Sequence, residues 1–270
     1  MAHELAQVAV ANGADAVLAC GGDGTINEVI NGLALSRVPL GILPGGTANI
    51  LAHELRLPLN PVRAARELAK WTPRRIALGR AWWGNGETPL AGPESAAPHT
   101  RCRYYASVAG IGYDAHIVYK LSAWMKEKFG VAGYVMEAFR QLVQYHFPEL
   151  WWRVGGDKRR ATFAVVHRTR LYAGWLHLAP TADLFAPRFT VCSFASRSRL
   201  RYLLYASAVL ARQHLRLRDV SLDQCTQMSI APSDAAARIH FELDGELVGT
   251  LPANFEIVPD ALTVLVPGQG

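Results

Sequence analysis

Two glycine-rich turns, each set between a short apolar run and a helical pattern, constrain this chain more than any other feature. The first is Gly21-Gly22-Asp23-Gly24-Thr25-Ile26-Asn27. It follows the apolar stretch Asp15 to Cys20, read as a fully buried strand, and leads into Ile26, Val29, Ile30 and Leu33. That i, i+3, i+4, i+7 spacing predicts a helix. The second turn, Pro44-Gly45-Gly46-Thr47-Ala48-Asn49, follows the apolar run Leu40 to Leu43 and opens a helix expected from Thr47 to about Leu55. A helix over His3 to Asn12 precedes the pair, and Asn60-Pro61 supplies a cap and first turn for another through Lys70. Strands alternating with helices imply a parallel sheet with helices packed on it. Both turns then fall at strand ends, where such a sheet faces its ligand crevice.

The chemistry of the turns suits phosphate. Glycine lets the backbone come close to a ligand, and a helix N-terminus offers free amide hydrogens. Thr25 can cap the helix or bond a phosphate oxygen. Asp23 would repel phosphate on its own, which suggests a bound magnesium ion or a network that organises one. The competing reading is a plain strand-to-helix turn, since Gly-Asp-Gly is good turn chemistry.

The pattern changes near Trp71-Thr72-Pro73, after which strands dominate. Expected strands are Arg75 to Trp83, Arg103 to Val108, Ala161 to His167, Phe189 to Phe194, Arg238 to Leu243 and Leu262 to Val266. Helical stretches run from Ile117 to Tyr145 and from Ser198 to His214, and Gly84 to Thr100 reads as a flexible Gly/Pro-rich loop. The predicted fold class is α/β plus all-β. Residues 1–73 form a Rossmann-like parallel-sheet domain, and residues 74–270 a mainly antiparallel sandwich or barrel-like domain, the extreme C-terminus being a candidate to return to the first.

The net charge of +6 on 270 residues favours anionic partners without choosing among them. Cys20, Cys102, Cys192 and Cys225 make no metal-ligand spacing. Cys20, in its apolar run, reads as a buried reduced thiol, which fits a cytoplasmic setting. No secretory signal is visible, and the longest apolar stretch, Leu203 to Ala211, is far short of the roughly 20 residues that cross a bilayer. The scattered histidines suggest no zinc site, and neither a nucleophile elbow nor a nucleic-acid module is recognisable.

With both turns in view, GGDGTINEVINGL and GILPGGTANILAHEL resemble the nucleotide-binding half of diacylglycerol kinases and their bacterial lipid-kinase relatives, with sphingosine kinases more distant. VAGIGYDAHIV and FELDGELVGTLPANFEIVPDALTVLV agree, in the right order along the chain. The resemblance implies an ATP-dependent lipid kinase that transfers the γ-phosphate to a lipid hydroxyl, most plausibly of diacylglycerol. It implies ATP contacts from Gly21, Gly22, Asp23, Gly24, Thr25, Ile26, Asn27, Gly46, Thr47 and Asn49. Asp23 and Glu246 take the catalytic roles, Glu246 as the general base, and Asp114 joins Asp23 in organising Mg2+. Read from the residues alone, Asp114 is also a helix-capping Asp, and Glu246 a solvated residue after the hairpin dipeptide Asp244-Gly245.

Against the family pattern, an earlier strand and phosphate loop are missing from this sequence. Ile50 stands where an Asp is usual. Ala186 stands where a carboxylate binds structural magnesium after Ala179-Pro180-Thr181-Ala182, with Asp183 as a candidate substitute three residues away. Two alternatives follow: a catalytically weak lipid- or nucleotide-binding regulatory protein, and an NAD-kinase-like small-molecule kinase. The Arg-rich stretch Ser196 to Arg218 reads first as a domain helix with a solvated basic face, and second as a peripheral contact with an anionic membrane. Trp124, Met125 and Phe129 read as core or lipid-pocket lining.

Overall fold

The computed structural model describes residues 1–84, 100–121, 123–154 and 157–268, with the backbone alone over 123–131. The expected Gly84 to Thr100 loop, apart from its two ends, and the side chains of Trp124, Met125 and Phe129 therefore lie outside the described residues. The chain runs α1 (Ala2–Ala11), β1 (Val17–Gly21), α2 (Asp23–Leu33), β2 (Leu40–Pro44), α3 (Ile50–Glu54), α4 (Pro61–Glu67), β3 (Trp71–Trp83), β4 (Arg101–Tyr105) and β5 (Val108–Gly112). There follow α5 (Tyr113–Lys120), α6 (Ala123–Gln144), β6 (Leu150–Val154), β7 (Asp157–Ala161), β8 (Phe163–His167), β9 (Leu171–Tyr172) and β10 (Leu176–His177). The remainder is β11 (Phe189–Phe194), α7 (Arg199–Leu210), β12 (Val220–Cys225), β13 (Gln227–Pro232), β14 (His240–Leu243), β15 (Glu246–Thr250) and β16 (Ala253–Pro267).

Two large sheets result. The first has eight strands, in the order β1-β2-β16-β13-β6-β7, with β3 on β16 and β4 on β3. The second has six, in the order β12-β11-β8-β5-β14-β15. β1 and β2 pair in parallel, and β16 joins β2 in parallel at Val264 and Leu40. The first half of β16 pairs antiparallel with β13, and nearly its whole length with β3. The architecture is thus a mixed parallel and antiparallel sheet at the N-terminal end, continuous with an antiparallel sandwich. Trp152, Met228 and Phe255 of the first sheet meet Ile111, Val166 and Phe241 of the second in the sandwich core. A separate core under the parallel strands gathers Ile26, Ile30 and Leu33 of α2 with Leu40, Ile42, Leu262 and Val264.

Several expectations need correction. β1 is not buried on both faces: it is an edge strand, with Ala19 in the core and Leu18 and Cys20 exposed. An edge strand covered on one face alternates in this way even when every residue is apolar. The helix after the second turn starts at Ile50, because Asn49 adopts a left-handed conformation at φ 46°. The single strand expected from Arg103 to Val108 breaks at Ala106-Ser107 and changes sheets, so β4 and β5 belong to opposite layers. β6, β7, β12, β13 and β15 were not expected, and β16 begins at Ala253 rather than near Leu262.

Candidate active site

The two glycine turns lie against each other. β1 and β2 end in register, Gly21 opposite Pro44, and the Gly45 amide donates to the Gly21 carbonyl at 2.9 Å. Beyond that bond the backbones nearly touch: a Cβ on Gly46 would lie 2.5 Å from the Gly22 Cα. Only glycine allows this approach. Asn49 closes the second turn on itself, accepting from the Gly46 amide at 2.9 Å and donating to the Gly46 carbonyl at 2.7 Å.

Asp23 joins the turns. Its carboxylate accepts from the Ile50 amide at 2.8 Å, with the Asn49 amide also directed at it. Burial raises its pKa, and these backbone donors partly offset the rise. The negative charge beside the turns is thus met by donors at the head of α3, and a cation is not needed to explain it. α2, an 11-residue helix, begins at Asp23 behind Gly22, which as the N-cap offers no side-chain acceptor. The first amides of α2 stand at the positive end of a helix, a fit for phosphate oxygens. Thr25 and Thr47 are exposed, and the Thr25 side chain folds back over Gly21. The side chains of Ile26 and Asn27, also expected at the nucleotide, face inward. Ile26 is in the core and Asn27 is buried.

Glu246 comes from the far end of the chain to this helix start. A Cβ on Gly24 would lie 2.8 Å from Glu246 Oε1, so the carboxylate occupies the space that glycine leaves. Arg103 donates to Glu246 Oε2 at 2.5 Å and to Asn27 Oδ1 at 2.8 Å. With His3, Glu28 and Asn31, the Arg103 and Glu246 side chains line a cleft of about 330 Å³. Nothing in the strand pattern singled out Arg103.

Asp244 holds this arrangement together. Its carboxylate accepts from the amides of Ala106, Ser107 and Val108, each at 2.9 Å, and from Asn27 Nδ2 at 2.6 Å. Ala106 and Ser107 lie where β4 gives way to β5, and Val108 is the first residue of β5. A buried N–H without a partner is costly, and Asp244 removes that cost. Burial raises the Asp244 pKa, and the amide bonds oppose the rise. Sequence reasoning placed Asp244 in a hairpin turn and no more.

Asp114 lies elsewhere. It is buried at the start of α5, and the hydroxyls of Tyr134 and Tyr172 donate to its Oδ1. Its other oxygen crowds with Glu242 Oε1 over Gly110. Burial raises both carboxyls, and for Glu242 the neighbouring Asp114 adds to the rise. Glu242, which no motif flagged, also accepts from the Gly110 amide at 2.7 Å and from the Gly245 amide at 2.5 Å, next to Glu246. Asp183 is exposed and accepts from its own Phe185 amide at 2.9 Å. Asp23, Asp114 and Asp183 thus have three separate sets of partners. Among the described residues no three His, Cys, Asp or Glu converge as a metal-binding group.

Asp114 also lines an apolar cavity of about 280 Å³ between α5, α6, α7 and the six-stranded sheet. Ile117, Leu142, Phe163, Phe194 and Tyr202 are among its walls. α7 packs inward through Tyr202, Tyr205 and Val209, and Arg201 pairs with Asp219 at 2.6 Å. Its outer side carries exposed Leu200, Leu203, Leu204 and Leu210, and α6 adds Met136, Phe139 and Val143. No helix among the described residues is long and apolar enough to cross a membrane.

Comparison with known proteins matches both halves of the chain. Residues 1–81 fit the diacylglycerol kinase catalytic domain, and residues 107–266 the YegS C-terminal NAD kinase beta sandwich-like domain. A diacylglycerol kinase of Mycobacterium tuberculosis is 29% identical over 274 residues, covering 100% of this chain and 82% of that protein. One from Bacillus subtilis is 25% identical over 260 residues, covering 94% of this chain and 78% of its own length. Among solved structures, a diacylglycerol kinase from Bacillus anthracis superposes with a TM-score of 0.68 at 17% identity, over 98% of this chain and 80% of that one. Yeast NADH kinase superposes at 0.55 and 10% identity, over 97% of this chain and 64% of that one. At such identities the superpositions speak for the fold.

Proposed function

The chain belongs to the diacylglycerol kinase catalytic family, and from that premise we propose that it transfers the γ-phosphoryl group of ATP to a lipid hydroxyl, that of diacylglycerol. One observation carries the reading: Glu246 stands against Gly24 at the start of α2, beside the paired glycine turns. The first amides of that helix and the backbone of the turns bind phosphate oxygens. Glu246 accepts the proton of the lipid hydroxyl as its oxygen attacks the γ-phosphorus and ADP departs. Arg103, between Asn27 and Glu246, holds the base in place and brings positive charge to the transferred group.

The apolar cavity takes the acyl chain. The Asp114 wall of the cavity touches Glu242, which accepts from the Gly245 amide next to Glu246, and in this reading a lipid lying in the cavity has its polar end on that side. The exposed Phe139, Met136, Leu203 and Leu210 flank the same cavity, with the exposed Arg197, Arg199 and Arg212 near the ends of α7. That combination suits the cytoplasmic face of an anionic membrane, where the substrate resides. The assay is radiolabelled ATP with diacylglycerol in mixed vesicles, with NAD and sphingosine as other acceptors. Labelled phosphatidic acid is the expected product. Glu246→Gln is expected to lower its rate by about 10²- to 10⁴-fold with vesicle binding kept. Labelling of NAD in place of lipid would defeat the proposal.

A second reading has its own support. An apolar cavity is present, whereas Ile50 and Ala186 stand where the resemblance calls for carboxylates. Saturable binding of diacylglycerol with no labelled product at any magnesium concentration would favour a lipid-binding regulator.

A further inference from the structure

The loop 183–188 joins the parallel-strand core to the six-stranded sheet, and it does so awkwardly. Leu184 is buried in the core beneath the parallel strands, so the backbone on either side is drawn in with it. Its carbonyl groups turn inward. The Ala186 amide bonds the Asp183 carbonyl and the Arg188 amide bonds the Ala186 carbonyl, which keeps the loop tightly coiled.

The centre of the coil holds a side chain. Arg168, at the end of β8, is fully buried. Its Nη1 donates to the carbonyls of Ala186 at 2.7 Å, Arg188 at 2.6 Å and, at longer range, Asp183 at 3.5 Å. Nη2 donates to the Ala77 carbonyl of β3 at 3.1 Å and to the Leu184 carbonyl. All five partners are main-chain carbonyl oxygens, and no ion pair among the described residues includes Arg168. Burial pulls its pKa down to about 10, and it remains a cation at neutral pH. A ring of converging carbonyls around one positive charge is the arrangement that hard metal ions adopt in proteins. The planar, multi-donor guanidinium meets the same need with fixed geometry.

We infer that the Arg168 guanidinium is the structural cation of this loop, standing where the family resemblance calls for magnesium, so that the chain folds here without a metal. The alanine at position 186 belongs to the same exchange. A ring already filled by a fixed cation has no use for a metal-binding carboxylate, and Asp183 is free to stay exposed, capping its own turn. The inference does not depend on which acceptor the enzyme uses.

The test is thermal unfolding of the full chain without nucleotide, in EDTA and in a magnesium titration, together with metal analysis of the purified protein. The wild-type midpoint is expected to be the same in EDTA and in magnesium, with no stoichiometric divalent ion. Arg168→Met is expected to lower it by roughly 6 °C or more, since several buried carbonyls lose their donor together. Millimolar methylguanidinium should recover part of that loss and magnesium none of it. A wild-type midpoint that falls in EDTA, a tightly held divalent ion, or an Arg168→Met variant as stable as the parent would overturn the inference. Should Arg168→Met fail to fold, the wild-type measurements decide alone: a metal-blind midpoint supports it and a metal-dependent one refutes it.

Discussion

Asp244 and Arg168 are mirror images, one a buried anion among amides and the other a buried cation among carbonyls. Asp244 takes three backbone N–H groups at the point where the chain crosses between sheets. Arg168 takes five backbone carbonyls where a loop crosses back. They share a neighbour: the Ser107 amide donates to Asp244, and the Ser107 carbonyl accepts from the Arg168 amide. Neither uses the other as a counter-ion. At these crossings the peptide groups cannot pair with a strand, and a single charged side chain serves several of them at once. A buried charge here serves to complete backbone hydrogen bonding, a different job from a buried ion pair, whose desolvation often cancels its gain.

The two sites can be pulled apart by substitution. Asp244→Ala leaves orphaned N–H groups, which are less tolerated than orphaned carbonyls, and should cost on the order of 3–5 kcal/mol in denaturant unfolding. Arg168→Met should cost less per group lost, and a loss per backbone group for Arg168→Met that equals or exceeds that for Asp244→Ala would break the comparison. The double variant sharpens it. Because both sites meet at Ser107, the losses should fall short of additivity by about 0.5–3 kcal/mol. Strict additivity would show two independent braces.

A third buried charge site tests a different arrangement, two carboxyls facing each other. Asp114 and Glu242 crowd over Gly110, and both have folded pKa values above the ordinary carboxyl range. A raised folded pKa means that the pair supports the fold fully below about pH 4 and loses that support as pH rises through the folded values. Asp114→Asn keeps an acceptor for Tyr134 and Tyr172 and offers an N–H to Glu242. It should raise the melting temperature at pH 8, with the gain vanishing near pH 4. A gain that grows toward acid would mean that the pair is ionised and paired with something else. The smallest effect belongs to the surface. Phe139→Ser with Leu210→Ser should weaken binding to anionic vesicles a few-fold with little change in melting temperature.

Much of the site could be read in the sequence because its parts are local. Glycine turns between an apolar run and a helical period identify themselves, and Asp244-Gly245 announces the hairpin that carries Glu246. What escaped is long-range. Arg103, Asn27 and Asp244 become one cluster only when residues more than 200 positions apart are folded together, and no spacing rule encodes that. The strand expected from Arg103 to Val108 failed for the same reason: its apolar pattern continues through Ala106-Ser107, and only a distant carboxylate makes the break favourable. Cys20 was misplaced because an apolar run says nothing about which strand of a sheet is at its edge. Ile26 and Asn27 were expected at the nucleotide from a motif, while the helical period already put the Ile26 side chain on the buried face.

β16 has a consequence for synthesis. Its last residues lie beside β2, so the parallel layer that bears both glycine turns acquires its third strand only when residues near Val264 have left the ribosome. Through most of translation the N-terminal segment waits with an unpaired β2 flank, a state open to aggregation and to chaperones. The layer that bears the glycine turns is therefore completed by a strand made long after β1 and β2, and a fragment ending near residue 74 should not hold its shape alone.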